Sequence, residues 1–231
     1  MHLHPERHIL AGYNIRDAVL GLSDGLTVPF ALAAGVSAAV SSSRIVVTAG
    51  LAEIVAGAIS MGLGGFLAVR TEVERYQSEE AREYDEVDNK TESERAEIRQ
   101  IFAQYGVRGD ALEQAVAQIT ADKSRWVDFM MRYELGLEKP VAGRARQSAL
   151  TIGLSYAVGG VVPLLPYVLL PTVAQGLIAS CIVTLIALMI FGAVKSRVTG
   201  SKPLRGAWQT ALIGAVAAGV AYALARLVAS A

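Results

Sequence analysis

Five long apolar stretches alternate with short polar joints, and one long charged segment interrupts them. The stretches are about 14–40, 44–69, 148–167, 172–194 and 207–228. Each reaches the roughly 20 residues an α-helix needs to cross a bilayer. Each is also rich in Gly, Ala and Ser, which lets helices approach closely. The pattern predicts an all-α integral membrane protein with five transmembrane helices. A helical domain is inserted between the second and third. The segments are 1–70 (N-terminal segment and first two spans), 71–145 (the insertion) and 146–231 (third to fifth spans).

The insertion has helical signals of its own. TEVERYQSEEAREYDEV continues the second span without Gly or Pro, so that helix is expected to extend beyond the membrane. Asp88-Asn89-Lys90 is a candidate break. Thr91 with Glu94 three residues on reads as a capping box for the next helix, which should end near Gly106. Asp110 is placed to cap a short helix through Ile119. A last helix over about 124–135 should stop at Gly136, before Lys139-Pro140. Trp126 and Phe129, three apart, read as the insertion's hydrophobic core.

Charge placement sharpens this picture. The chain has 231 residues, no formal net charge and 53% hydrophobic residues. All of its acidic side chains except Glu6, Asp17, Asp24 and Glu53 lie between 71 and 145. Arg7 and Arg16 precede the first span, and Lys195, Arg197, Lys202 and Arg205 separate the fourth and fifth. The joint VVPLLPYVLLP is uncharged. Positive charge is retained on the cytoplasmic side, so the N-terminus and insertion are expected to be cytoplasmic and the C-terminus outside. Arg70 and Arg75 mark the membrane surface. No basic stripe suggests nucleic acid. MHLHPERHIL lacks the apolar core of a signal peptide. Cys181, the only cysteine, excludes an intrachain disulfide and reads as a small packed hydrophobe.

Candidate chemistry follows from polar groups in costly places. Asp24 and Glu53 lie well inside apolar spans, where an ionisable residue is a functional hypothesis by default. Met61 is two helical turns beyond Glu53. Two carboxylates and a thioether facing a cavity could hold a divalent transition metal. The plainer reading is that both acids are protonated and hydrogen-bond neighbouring helices, with Met61 as core filler. Pro29 should kink the first helix near Asp24 and free backbone carbonyls there.

In the insertion, Glu83, Glu86, Glu94 and Glu97 fall on one face of an ideal helix, where like charges repel. Bringing Glu134, Met130 and Met131 against that face would build a metal site of inward-facing carboxylates, as in di-iron bundles. The Glu-x-x-His motif of those bundles is absent; the histidines are His2, His4 and His8. A solvated acidic face remains an equal alternative. GLGG at 62–65 lacks the Lys-Ser/Thr of a phosphate loop. No nucleophile–base arrangement suggests an enzyme.

RDAVLGLSDGLTVPFALAAG, AEIVAGAISMGLGGFLAVRTEVERY and WVDFMMRYELGLEKP resemble the vacuolar iron transporter family, also called the yeast calcium cross-complementer family. The resemblance covers nearly the whole chain. It implies a homodimer with a cytoplasmic metal-binding domain between the second and third spans. It also implies proton-coupled antiport of Fe2+ out of the cytosol, with Fe2+ as substrate and bound ion and no prosthetic group. Asp24, Glu53 and Met61 match the family's transport positions. Glu83, Glu86, Glu94, Glu97 and Glu134 match its cytoplasmic carboxylates, with Met130 and Met131 beside them. Nodulin-like relatives lack the long insertion, so its presence favours the iron-transporting branch. The first helix would line the dimer interface, giving a passage with two copies of Asp24. The membrane would be a bacterial inner membrane, or a vacuolar-type membrane in a eukaryote. Competing expectations are a membrane-anchored ferritin-like ferroxidase, a metal sensor and a manganese exporter of the same fold. Oxygen ligands alone do not separate Fe2+ from Mn2+.

Overall fold

The computed structural model describes the backbone of residues 5–230 and the side chains from residue 12. His2 and His4, and the side chain of His8, lie outside the described residues. Eight helices follow in order among those described: α1 (Pro5–Ala39), α2 (Ser43–Asn89), α3 (Thr91–Gln104), α4 (Asp110–Thr120), α5 (Lys123–Tyr133), α6 (Arg144–Leu169), α7 (Val173–Val198) and α8 (Pro203–Ala229).

Five of them are long and apolar enough to cross a membrane: α1 from Gly12, α2, α6, α7 and α8. They coincide with the five predicted stretches. α2 continues past its apolar part as one 47-residue helix to Asn89, as the absence of Gly and Pro after Gly65 leads one to expect. α1 runs through Pro29 as one helix.

The chain divides into two compact units. The first combines residues 1–67 with 145–231 and holds the apolar spans. Its helices are joined by small residues. A Cβ on Gly25 would fall 2.2 Å from the carbonyl oxygen of Tyr156, and one on Gly21 would fall 2.2 Å from that of Ile152. The backbones of α1 and α6 therefore touch, and any side chain at either glycine would force them apart. Phe30, Ala34 and Ala218 form one buried cluster, with Cys181 packed against it. Large apolar residues such as Leu154, Ile178 and Leu212 stay exposed on α6, α7 and α8, as expected of surfaces that lipid covers.

The second unit spans residues 68–144. Its core is built from Tyr76, Val87, Ile98, Val116, Trp126, Val127, Met130 and Met131. Phe129 is only partly buried and stacks on Phe102, with ring centroids 5.6 Å apart.

Two predicted helix caps are corrected, and the last helix of the insertion starts within a residue of its expected position. α3 has no capping box: Thr91 donates its hydroxyl back to the Val87 carbonyl, and the residue at the N-cap is Lys90. The α2–α3 break is so short that Thr91 is still within reach of the preceding helix and bonds there instead. α4 is preceded by Gly109 at φ 66°, and Asp110 lies inside its first turn. The reversal needs left-handed backbone, which glycine supplies without strain. α5 starts at Lys123, because Asp122 accepts a hydrogen bond from the Arg125 N–H at 2.8 Å. It ends at Tyr133, with Gly136 at φ 63° just beyond.

Candidate functional site

In the second unit, three segments aim carboxylates at one point. Glu83 comes from α2, Glu94 from the first turn of α3, and Glu134 from the residue capping the C-terminus of α5. The backbone N–H of Glu134 donates to the Met130 carbonyl at 3.0 Å, which anchors this third acid to the helix end. One oxygen from each of the three lies within 4.8 Å of the other two. At a metal–oxygen distance of about 2.2 Å, two ligand oxygens lie at most about 4.4 Å apart. Three oxygens gathered this closely could converge on one cation by side-chain rotation.

The protein's own donors leave this group incomplete. Glu83 and Glu94 are 1% and 3% exposed, and one oxygen of each, Oε2, is buried without a hydrogen-bond partner. A buried acceptor left unpaired costs about 1–3 kcal/mol, and more if charged. A proton or a cation removes that cost. Loss of water raises the Glu94 carboxyl to about 7, and the charges of Glu97, Glu83 and Glu86 add to the shift. Glu134 remains solvent-accessible at its edge. Its carboxyl also rises to about 7, through desolvation first and then the neighbouring Glu97, Glu83 and Glu94.

The other predicted ligands divide. Glu97 reaches the group indirectly, as hydrogen-bond partner of Glu134. Glu86 is turned aside: its Oε1 lies 2.8 Å from the Lys90 ammonium, and Arg82 lies 3.7 Å from its Oε2. This is the ordinary i, i+4 contact of a helix, and the Lys90 N–H still donates to the Glu86 carbonyl at 2.7 Å. Met130 and Met131 are 0% and 1% exposed within the apolar core.

In the first unit, Glu53 accepts a hydrogen bond from the Tyr156 hydroxyl. Its second oxygen is buried without a partner. The glycine beside Asp24, Gly25, packs on the backbone of the same tyrosine, and Gly57, one turn beyond Glu53, faces its ring. Tyr156 thus links the surroundings of Asp24 and Glu53. Asp24 is half-buried. Met61 is also half-buried, but about 12 Å of helix rise separates it from Glu53. Tyr156 was not singled out from the sequence. Its signal is the hydroxyl in GLSYAVGG, a polar group inside an apolar stretch that must find a partner.

A family model described as the VIT family matches residues 15–226. The chain belongs to the VIT family. Vacuolar iron transporter 1 of Arabidopsis thaliana is 52% identical over 225 residues, covering 97% of this chain and 90% of that protein. Vacuolar iron transporter 1 of Oryza sativa subsp. japonica is also 52% identical, over 227 residues, with 98% and 90% covered. Protein CCC1 of Saccharomyces cerevisiae is 38% identical over 223 residues, with 92% and 68% covered. This VIT-family chain is an integral membrane protein, on its five apolar helices and its family.

Proposed function

We propose that the chain is a proton-coupled antiporter that exports Fe2+ from the cytosol. The observation that carries this reading is the convergence of Glu83, Glu94 and Glu134, two of them with a buried, unpartnered oxygen, in a chain with five membrane-crossing helices. The names of the plant relatives supply the metal. The donor set supports it, since carboxylates suit Fe2+ and also Mn2+.

Each step rests on proton–metal competition. Glu94 and Glu134 hold protons near neutral pH because they are crowded and poorly hydrated. A divalent cation replaces those protons and relieves the repulsion. The carboxylate group therefore collects metal on the cytoplasmic side and releases protons as it does so. Within the spans, Asp24 and Glu53 carry the ion, and Tyr156 holds Glu53 in place through its hydroxyl. Metal and protons exclude one another on these acids, which is the condition for antiport. Two copies of the chain assemble with their first helices around the passage, and Met61 contributes a thioether from α2. The membrane is vacuolar in a eukaryotic host and the inner membrane in a bacterium.

The test is Fe2+ uptake into liposomes containing the purified protein and an internal pH dye. Metal entry coupled to proton exit, lost in Asp24→Asn, is the expected outcome. Wild-type protein that binds Fe2+ without moving it would sink the transporter reading in favour of a sensor. Oxygen consumption with Fe2+ would favour a ferroxidase.

A further inference from the structure

One end of the membrane unit carries charge that nothing in its vicinity along the chain neutralises. Lys195 and Arg197 lie in the last turn of α7. Lys202 is the residue before α8, and Arg205 lies in its first turn. From residue 145 to 231 the sequence contains no Asp or Glu. Among the described residues, none of the four cations has an ion-pair or side-chain partner.

The fold gathers these four residues at one end of the α7–α8 pair. α7 and α8 meet here in backbone contact: a Cβ on Gly206 would lie 1.8 Å from Ser196 Oγ, and one on Gly192 would lie 2.4 Å from the Gly206 carbonyl oxygen. The joint between the helices is short, and Gly200 reverses the chain at φ 72°. Four like charges gathered at one turn, with no acid near them in the chain, favour an anion that joins them.

The position along the helices indicates what that anion is. α7 has 26 residues, about 39 Å at 1.5 Å per residue, against a hydrocarbon thickness of about 30 Å. Its charged last turn therefore reaches the headgroup layer. Next to the cations, Val194, Val198, Leu204 and Trp208 are 57%, 58%, 70% and 63% exposed. Cations that grade directly into exposed aliphatic side chains and a tryptophan match a phosphate attached to acyl chains. A free phosphate would use only the polar half of this surface.

We propose that the α7–α8 turn binds the headgroup of an anionic phospholipid, with its acyl chains along the exposed apolar faces of the two helices. The test is thermal unfolding of the full-length protein in neutral detergent, titrated with phosphatidylglycerol, phosphatidylcholine or inorganic phosphate. Phosphatidylglycerol should raise Tm by about 3 °C or more, and the other two should not. Lys202→Gln/Arg205→Gln and, separately, Lys195→Gln/Arg197→Gln should lose most of that shift. Arg108→Gln/Lys139→Gln, the same charge change in the second unit, should keep it. Equal shifts with phosphatidylcholine would overturn the proposal, as would an equal shift with inorganic phosphate or an undiminished shift in both turn variants. The wild-type lipid comparison can overturn the proposal even if one variant does not fold, and the other variant pair then locates the site.

Discussion

The second unit ties its surface together with ion pairs, among them Arg99 with Glu113 and Lys123 with Asp88. Within the spans, Glu53 leans on a tyrosine hydroxyl instead. The difference follows from the solvent. Water screens and hydrates the charges of the insertion, so pairs form and break at little cost. In an apolar span a lone carboxylate has no such help, and a neutral donor on a neighbouring helix is a cheaper partner than a second charge. Both units nevertheless place carboxylates where their own donors run out: Glu53 in the first, Glu83 and Glu94 in the second. The same shortage in two solvents can be met by a proton or by a cation, the exchange that the proposed transport requires.

The sharpest way to break this comparison is to remove one acid from each unit. Asp24→Asn should reduce Fe2+ transport at least about tenfold while leaving metal binding by the insertion intact. Glu94→Gln should weaken metal binding about tenfold or more, read by titration calorimetry, because it deletes a ligand and not merely its support. If Asp24→Asn abolished binding as well, the two units would not act as separate stations.

The pH dependence gives the comparison a sign. Glu94 and Glu134 titrate near 7 in the folded chain against 4.5 for the unreacted side chain. Between those values the folded state holds more protons than the unfolded one. The metal-free second unit should therefore lose stability as pH rises from about 4.5 to 7, and regain it as pH falls. Metal affinity should run the other way and strengthen through pH 7, since the protons must leave first. Denaturation of metal-free and metal-loaded protein across that range checks both directions; a metal-free protein insensitive to pH would sink the crowded-carboxylate account.

Packing supplies a further contrast. Gly25→Leu should destabilise the membrane unit by at least about 1–3 kcal/mol, because the side chain would meet α6 backbone, which cannot rotate away. Thermal unfolding in detergent reads this. In the second unit, Lys90→Gln should raise metal affinity about two- to fivefold by releasing Glu86 from its ion pair. Unchanged affinity would mean that Glu86 takes no part. The smallest effect should come from Arg99→Gln, whose exposed pair with Glu113 is screened by water, leaving Tm close to that of wild type.

Much of this molecule is legible in one dimension. The five spans, the continuation of α2 beyond the bilayer and the helical insertion follow from hydropathy and from where Gly and Pro do or do not occur. Asp24 and Glu53 stand out for the same reason, since a carboxylate in an apolar run needs no structure to be noticed. The helix starts were less legible. Thr91 and Asp110 both have plausible capping chemistry, and the choice among neighbours depends on which backbone group is within reach once the turn has closed.

Which segments are apolar, which are charged and how far each helix can run depend on residues close together in the chain, so they can be read from it directly. Which carboxylates meet depends on how the helices pack. Glu94 and Glu134 are 40 positions apart, and their approach depends on α5 ending where it does. Glu86, by contrast, is drawn off by Lys90 one turn on, a pairing that the i, i+4 spacing already allows. Tyr156 becomes the partner of Glu53 because glycines on α1 and α2 let α6 come within contact. Convergence of that kind is a property of packed backbones, and no local pattern encodes it.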